Sequence, residues 1–352
     1  MTSRVPFAER GGALRGLVDL ATGCYPSFLF GGSPGAMVPV FHFHDVTREW
    51  LEPRLQYLAD NGYRTIAGDA IARLVIDGTS PGPNAVALTF DDAWASAWSV
   101  ATPLLRQFGQ QAILFAIPGR IQEEPGSFVS WSQLRDMHAS GVWDIQSHTR
   151  SHAMIFQHSR IVSFVTPWYR NAPLLERPMV RTAFLSADAL GTPLYSQRSR
   201  MSDACRYIPD EMLADRCRRH VAENGGEGFF DRPGWRSRLH EIARGMYAAS
   251  ERFENDRERA AAIRDELAEG RALLNERLGT TTVRHVALPW GIAGEETRHA
   301  LADTGHQLAF AERPLKRRGV RAGDDPHGLM RLNGKFLTCL PGRGRKWFFT
   351  TV

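Results

Sequence analysis

The sequence predicts an α/β protein built on a parallel sheet or barrel, and three observations carry that expectation. Short runs rich in Val, Ile, Leu and Phe alternate with helix-patterned segments through residues 36–152 and again through 256–335, the rhythm of β-α-β crossovers. The chain has 352 residues, 43% of them hydrophobic, enough for one large core carrying an insertion, or for two domains. No apolar run reaches the ~18 residues of a membrane span, and none near the N-terminus has the length of a signal-peptide core. A cytoplasmic location is the resulting expectation.

Taken in order, residues 1–35 form an N-terminal extension. It holds a helix over 10–21, an aromatic stretch with Cys24, Tyr25, Phe28 and Phe30, and a loop punctuated by Gly31, Gly32, Pro34 and Gly35. Residues 38–45 alternate with period two and predict a strand, with Val40, His42 and His44 on one face and Phe41 and Phe43 on the other. Leu51, Leu55 and Leu58 recur at helical spacing over 49–61, and Asn61-Gly62 ends that helix. A short strand over 63–66 and a helix over 68–76 follow.

The next strand, 86–92, is apolar until it runs into Asp91 and Asp92. A helix over 94–108 comes next, with Pro103 marking a boundary or kink. Residues 111–117 predict a buried strand, 131–140 a helix, and 142–147 the strand that delivers His148. The rhythm then breaks. Residues 153–255 are rich in prolines and aromatics, with helices predicted over 209–223 and 234–250. A stretch of on the order of 100 residues needs structure of its own, and an inserted helical subdomain or lid is expected. The α/β pattern resumes with a charged helix over 257–278, whose inner stripe is Ile263, Leu267, Leu274 and Leu278. A strand over 283–291, a helix over 295–303 and a strand over 307–310 follow. A basic loop spans 313–325, and a closing strand 328–333.

Two stretches carry chemistry. Adjacent residues on a strand point to opposite faces, so Asp91 and Asp92 suit different tasks. His148 and His152 stand four apart, a spacing that on a helical turn lets two imidazoles ligate one ion. Asp92, His148 and His152 then form a His₂-carboxylate metal site with an open position, and Asp91 is left as a base. Zinc suits this donor set best, with Fe, Co, Ni or Mn as alternatives. No nucleophile elbow, phosphate-binding Gly-rich loop or CxxC pair competes with it. The four cysteines, Cys24, Cys205, Cys217 and Cys339, are scattered and are expected to stay reduced.

Thr89-Phe90-Asp91-Asp92 and His148-Thr149-Arg150-Ser151-His152 resemble the TFDD and H[ST]xxH motifs of the polysaccharide deacetylase family, the NodB-homology domain of carbohydrate esterase family 4. The resemblance implies a distorted (β/α) barrel of the polysaccharide deacetylase type over 36–152 and 256–352, with a large helical insertion over 153–255. It implies a metal-dependent hydrolase that removes an N-acetyl group from a sugar of a polysaccharide, oligosaccharide or glycan precursor and releases acetate. Leu288-Pro289-Trp290-Gly291 is similar to the third motif of the family (RxPY or YPYG), with Ala287 at the position of its arginine, so an arginine to orient the base is absent at this position. By this resemblance Trp290 offers an oxyanion-binding amide, Pro289, Trp290 and Trp94 contact substrate, and residues 328–333 form the closing strand. The Leu-x-His motif that supplies the acid elsewhere in the family is absent. His44, in a Phe-His-Asp-Val context similar to that of related deacetylases, becomes the candidate acid, with His306 and His327 as substitutes. Other readings are a different C–N hydrolase, such as a deformylase, and a non-catalytic carbohydrate binder.

Net charge is +5, with basic residues gathered at 198–206, 216–220 and 316–321. This is either solvated surface or an attraction to a phosphorylated or lipid-linked substrate and to a membrane face. No nucleic-acid recognition motif accompanies the charge.

Overall fold

The computed structural model describes residues 17–18, 20–123, 126–168, 189–244, 252–313 and 316–351. The helix expected over 10–21 is seen only from residue 17 on; its beginning lies outside the described residues, as does the end of the helix expected over 234–250. Strands run as β1 Val40–Phe43, β2 Arg64–Thr65, β3 Ala85–Asp92, β4 Ala112–Ala116, β5 Trp143–Ser147, β6 Met154–Phe164, β7 Pro193–Ser199, β8 Tyr207–Ile208, β9 Arg252–Phe253, β10 His285–Ala287, β11 Leu308–Phe310 and β12 Leu332–Asn333. The described residues divide into one compact unit within 17–151 and 264–351 and a second within 152–263.

In the larger unit the strand order is β11-β10-β5-β4-β3-β1-β12, with β2 paired to β3. Every pairing is parallel. A parallel bridge between Phe310 and Leu329, three residues before β12, links the two ends of this order, so the curled sheet of the predicted distorted barrel is closed only by an irregular segment. Side chains alternate accordingly. Val40, Ala87, Ile113, Phe115, Ala287, Phe310 and Leu329 share one cluster on the inner face. Phe41, Phe43, Leu88, Phe90, Leu114 and Ile145 pack outward with Leu51, Leu55, Leu104 and Leu134 of the covering helices.

The helices follow their sequence signals. Gly78 caps Gly68–Asp77 in a left-handed conformation, and Ser130 with Gln133 forms a capping box on Trp131–Ala139. The helix expected over 94–108 is a π-helical turn, Ala97–Ala101, followed by Thr102–Gln107. Pro103 sits in the first turn of that second piece, where its missing N–H costs no bond.

The smaller unit adds strands to the helical subdomain or lid expected. Helices Glu211–Glu223 and Trp235–Arg244 are present, but β6 and β7 pair antiparallel, as do β8 and β9. Aromatics that break a helical pattern explain this: Phe156, Phe164, Tyr195 and Tyr207 line a separate core with Cys217, Val221, Phe229 and Leu239. Its Arg200 is no surface charge; it is buried and forks onto Glu254 at 2.6 and 3.0 Å. Arg318 of the larger unit likewise forks onto Glu312 at 2.9 Å with both nitrogens. The basic surface expected at 198–206 and 316–321 is therefore partly consumed by internal pairs. All four cysteines are free. Among the described residues no helix is long and apolar enough to cross a membrane.

Phe90 is fully buried, stacked on Phe43 at 4.9 Å and edge-on to Trp143 at 5.2 Å. Phe90→Ala is expected to lower unfolding free energy by about 3–5 kcal/mol in urea titration; a loss below about 1 kcal/mol would show that this packing contributes little.

Candidate active site

The candidate site residues gather where the parallel strands end. Asp92, Ala116 and Ser147 lie side by side across β3, β4 and β5, and Val286 of β10 continues the row. His148 follows directly, its N–H donating to Ala116 O at 2.7 Å. The C-terminal edge of such a sheet is where enzymes of this architecture place their chemistry.

Alternation puts Asp91 on the inner face with Thr89 and Phe115. Arg331, one residue before β12, rises beneath it. Its Nη1 and Nη2 donate to Asp91 Oδ1 and Oδ2 at 2.7 and 2.8 Å, and Nη1 also donates to Thr89 Oγ1 at 2.9 Å. The guanidinium lies 5.6 Å from the Phe115 ring and 5.7 Å from the Phe310 ring. Burial alone would raise the Asp91 carboxyl, but the forked Arg331 outweighs it and holds the group well below the usual carboxylate range. As expected, no arginine stands at the position of Ala287; the closing strand brings one to Asp91 instead, from a position that pairs next to β1 in space while lying about 240 residues from Asp91 in sequence. The sequence contains Arg331 in the segment read as the closing strand; only the sheet order shows which carboxylate it meets.

Asp92, His148 and His152 are all buried and offer ligand atoms within 4.8 Å of one another. His148 Nδ1 donates to Ala287 O at 2.7 Å, which turns Nε2 toward Asp92 Oδ1 at 3.4 Å. Burial opposes protonation of His148, yet the Asp91 and Asp92 carboxylates outweigh it and raise its affinity for a proton. A site that attracts positive charge, with one carboxylate and two imidazoles converging, fits a divalent cation. The helical turn expected to align the two histidines is not formed. Residues 148–152 are irregular, and Thr149 at φ 63° and His152 at φ 56° adopt left-handed backbone. Among the described residues, five of the seven non-glycine residues at positive φ are Asp92, Ala93, Thr149, His152 and Trp290, so backbone strain concentrates at this site.

Trp94, expected to contact substrate, donates its indole N–H to Asp92 Oδ2 at 3.0 Å and leans on Phe128. That bond orients the carboxylate. Pro289 is buried and Trp290 stands at φ 54° in a 3-10 turn after β10, a conformation that turns the chain at the same strand end. His44 is half exposed, with Nε2 3.8 Å from Asp91 Oδ2. His42, on the same face, is pushed down to about 3 by burial and by Arg331 and is therefore neutral. His306 precedes β11 and thus lies at the opposite, N-terminal end of the parallel strands; burial and Arg271 push it down to about 3, and His327 Nε2 is bonded to its carbonyl at 2.8 Å. Neither can serve as the acid.

Residues 78–171 match the family model described as polysaccharide deacetylase. The Bacillus subtilis (strain 168) protein named "Putative polysaccharide deacetylase YxkH" is 26% identical over 125 residues, which span 33% of this chain and 44% of that relative's length. Among solved structures, the BpsB deacetylase domain from Bordetella bronchiseptica has a TM-score of 0.56 at 18% identity, covering 85% of this chain and 96% of its own. A de-N-acetylase from Aggregatibacter actinomycetemcomitans gives 0.51 at 15% identity, covering 85% and 95%. IcaB from Ammonifex degensii gives 0.50 at 18% identity, covering 86% and 94%. At these identities the likeness establishes a shared fold.

Removing the cation beneath Asp91 has a signed consequence. A depressed carboxyl stabilises the fold above its ordinary pKa of ~3.9 and loses that contribution as pH falls. An unpaired buried carboxyl does the reverse. Arg331→Met should therefore cost about 3–5 kcal/mol near pH 7, and its deficit against wild type should shrink as the pH is taken down to about 4. Urea unfolding at a series of pH values checks this; a deficit constant with pH would contradict the pairing.

Proposed function

We propose that the chain is a member of the polysaccharide deacetylase family, whose model matches residues 78–171, and that it hydrolyses the N-acetyl group of a sugar in a polysaccharide, oligosaccharide or glycan precursor and releases acetate. The observation that supports this best is the pairing of two unlike carboxylates at one strand end: Asp91 ionised by Arg331, and Asp92 set among His148 and His152. Asp92, His148 and His152 would hold a divalent ion, zinc by donor chemistry with Fe, Co, Ni or Mn as alternatives. When bound, such an ion supplies Lewis acidity toward the acyl oxygen and acidifies water.

The protein's own groups account for the remaining steps. Asp91, kept as a carboxylate, takes the proton of the attacking water at an Oδ atom. Arg331 holds that carboxylate in one orientation and thereby fixes where the proton is received. The Trp290 N–H, at the turn after β10, is our choice of oxyanion donor. His44 Nε2, at the rim beside Asp91, is our choice for delivering a proton to the leaving amine. Pro289 and the ring faces of Trp290 and Trp94 would wall the sugar, since aromatic faces pack against the apolar faces of pyranose rings. A phosphate or lipid carrier on the substrate would draw on basic residues such as Arg317 and Arg321, which remain exposed.

Two measurements on purified protein test the assignment. Asp91→Asn should retain stoichiometric metal while acetate release from an N-acetylated glucosamine oligomer falls by at least 10²-fold. Asp92→Ala should lose the metal. Undiminished turnover in Asp91→Asn would remove the mechanism, and formate release from N-formyl sugars in place of acetate would redirect the substrate assignment.

A further inference from the structure

The loop carrying His148 and His152 is held from both sides by residues outside the two histidine and aspartate motifs. From helix Asp256–Leu278, the Glu266 carboxylate accepts the Ser151 N–H at 2.9 Å and the Ser151 hydroxyl at 2.6 Å, and the Glu266 carbonyl accepts the Arg150 N–H at 2.9 Å. From the turn after β4, Gly119 N–H donates to the Arg150 carbonyl at 2.8 Å, and Arg120 Nε and Nη2 donate to the Ser151 carbonyl at 3.2 and 3.0 Å. Thus every main-chain N–H and C=O of Arg150 and Ser151 is bonded to a residue outside the loop. There is no slack: a Cβ on Gly119 would lie 2.6 Å from Arg150 O, and one on Gly270 would lie 2.7 Å from Arg150 N.

The flanking residues explain the need for such a grip. Thr149 and His152 are both left-handed, and non-glycine residues persist in that region only where their surroundings over-determine them. Without the helix, the loop would relax toward ordinary backbone and the two imidazoles would no longer converge.

We infer that Glu266 is a positioning residue for the paired ligands His148 and His152, acting through Ser151; this rests on the metal-site reading above. Its carboxylate spans two donors of one residue, so its contribution is geometric and its charge is secondary. Glu269, one helical turn on, pairs with Arg150 at the exposed surface and serves as a control, since exposed ion pairs contribute little.

Zinc titration of the metal-free protein by competition with a chromophoric chelator tests the inference. Glu266→Ala should weaken zinc binding by about 10–100-fold, the usual cost of losing a group that orients ligands. Glu266→Gln should restore most of it, because its amide oxygen can accept the Ser151 N–H while its NH₂ meets the hydroxyl. Glu269→Gln should leave affinity unchanged. Should Glu266→Ala fail to fold, Ser151→Ala, which removes one bond, decides: a several-fold loss is expected. Wild-type affinity in the folded Glu266→Ala protein, or in Ser151→Ala when the former does not fold, would overturn the inference. A wild-type protein that takes up no zinc would overturn the metal-site reading itself.

Discussion

The forked pair between Arg331 and Asp91 is the constraint on which the site depends. It draws a guanidinium into the inner face of the sheet, between the Phe115 and Phe310 rings, and keeps a 3%-exposed carboxylate ionised. Buried ion pairs contribute little net stability, because desolvation cancels much of their attraction. What this one supplies is a protonation state. A carboxyl enclosed this way without a cation would hold its proton and could not accept another. The pair also ties β3 to the segment before β12, so the last strand is fixed by the same contact that keeps Asp91 ionised.

Around that pair, regular structure gives way to strained turns. The strands bring Asp92, Ser147 and Val286 into line, but alternation alone would send Asp92 away from Asp91 for good. Left-handed backbone at Asp92 and Ala93 ends the alternation, and equivalent turns at Thr149, His152 and Trp290 bend the neighbouring chain ends. Ala287 links two of these turns: its carbonyl accepts from His148 Nδ1 while the turn through Pro289 and Trp290 begins beyond it. Rigid strands thus set the position of the site, and irregular turns set the direction of its side chains.

Much of this could be read from the sequence. Period-two alternation placed β1 and an apolar run placed β3, and the Asp91-Asp92 pair at a strand end, with two histidines after the next strand but one, pointed to the candidate metal triad. Local signals also gave the helix end at Asn61-Gly62. The failures share a cause, which is dependence on partners distant in sequence. Arg331 was read as part of a closing strand, yet its partner becomes evident only when β12 is seen beside β1. His148 and His152 carry a helical spacing, but main-chain bonds from Gly119 and Glu266 override it. Residues 153–255 were expected to be helical, and the antiparallel strands there follow from pairings across tens of residues.

The central claim, that Asp92, His148 and His152 form a metal centre beside an ionised Asp91, is tested most directly by anomalous diffraction from crystals equilibrated with zinc. The account predicts a single strong zinc-edge peak about 2.0–2.2 Å from one Asp92 oxygen and from one nitrogen each of His148 and His152, with Asp91 still forked to Arg331. A peak elsewhere in the molecule with this triad empty, or a zinc ion that draws Asp91 away from Arg331, would contradict it.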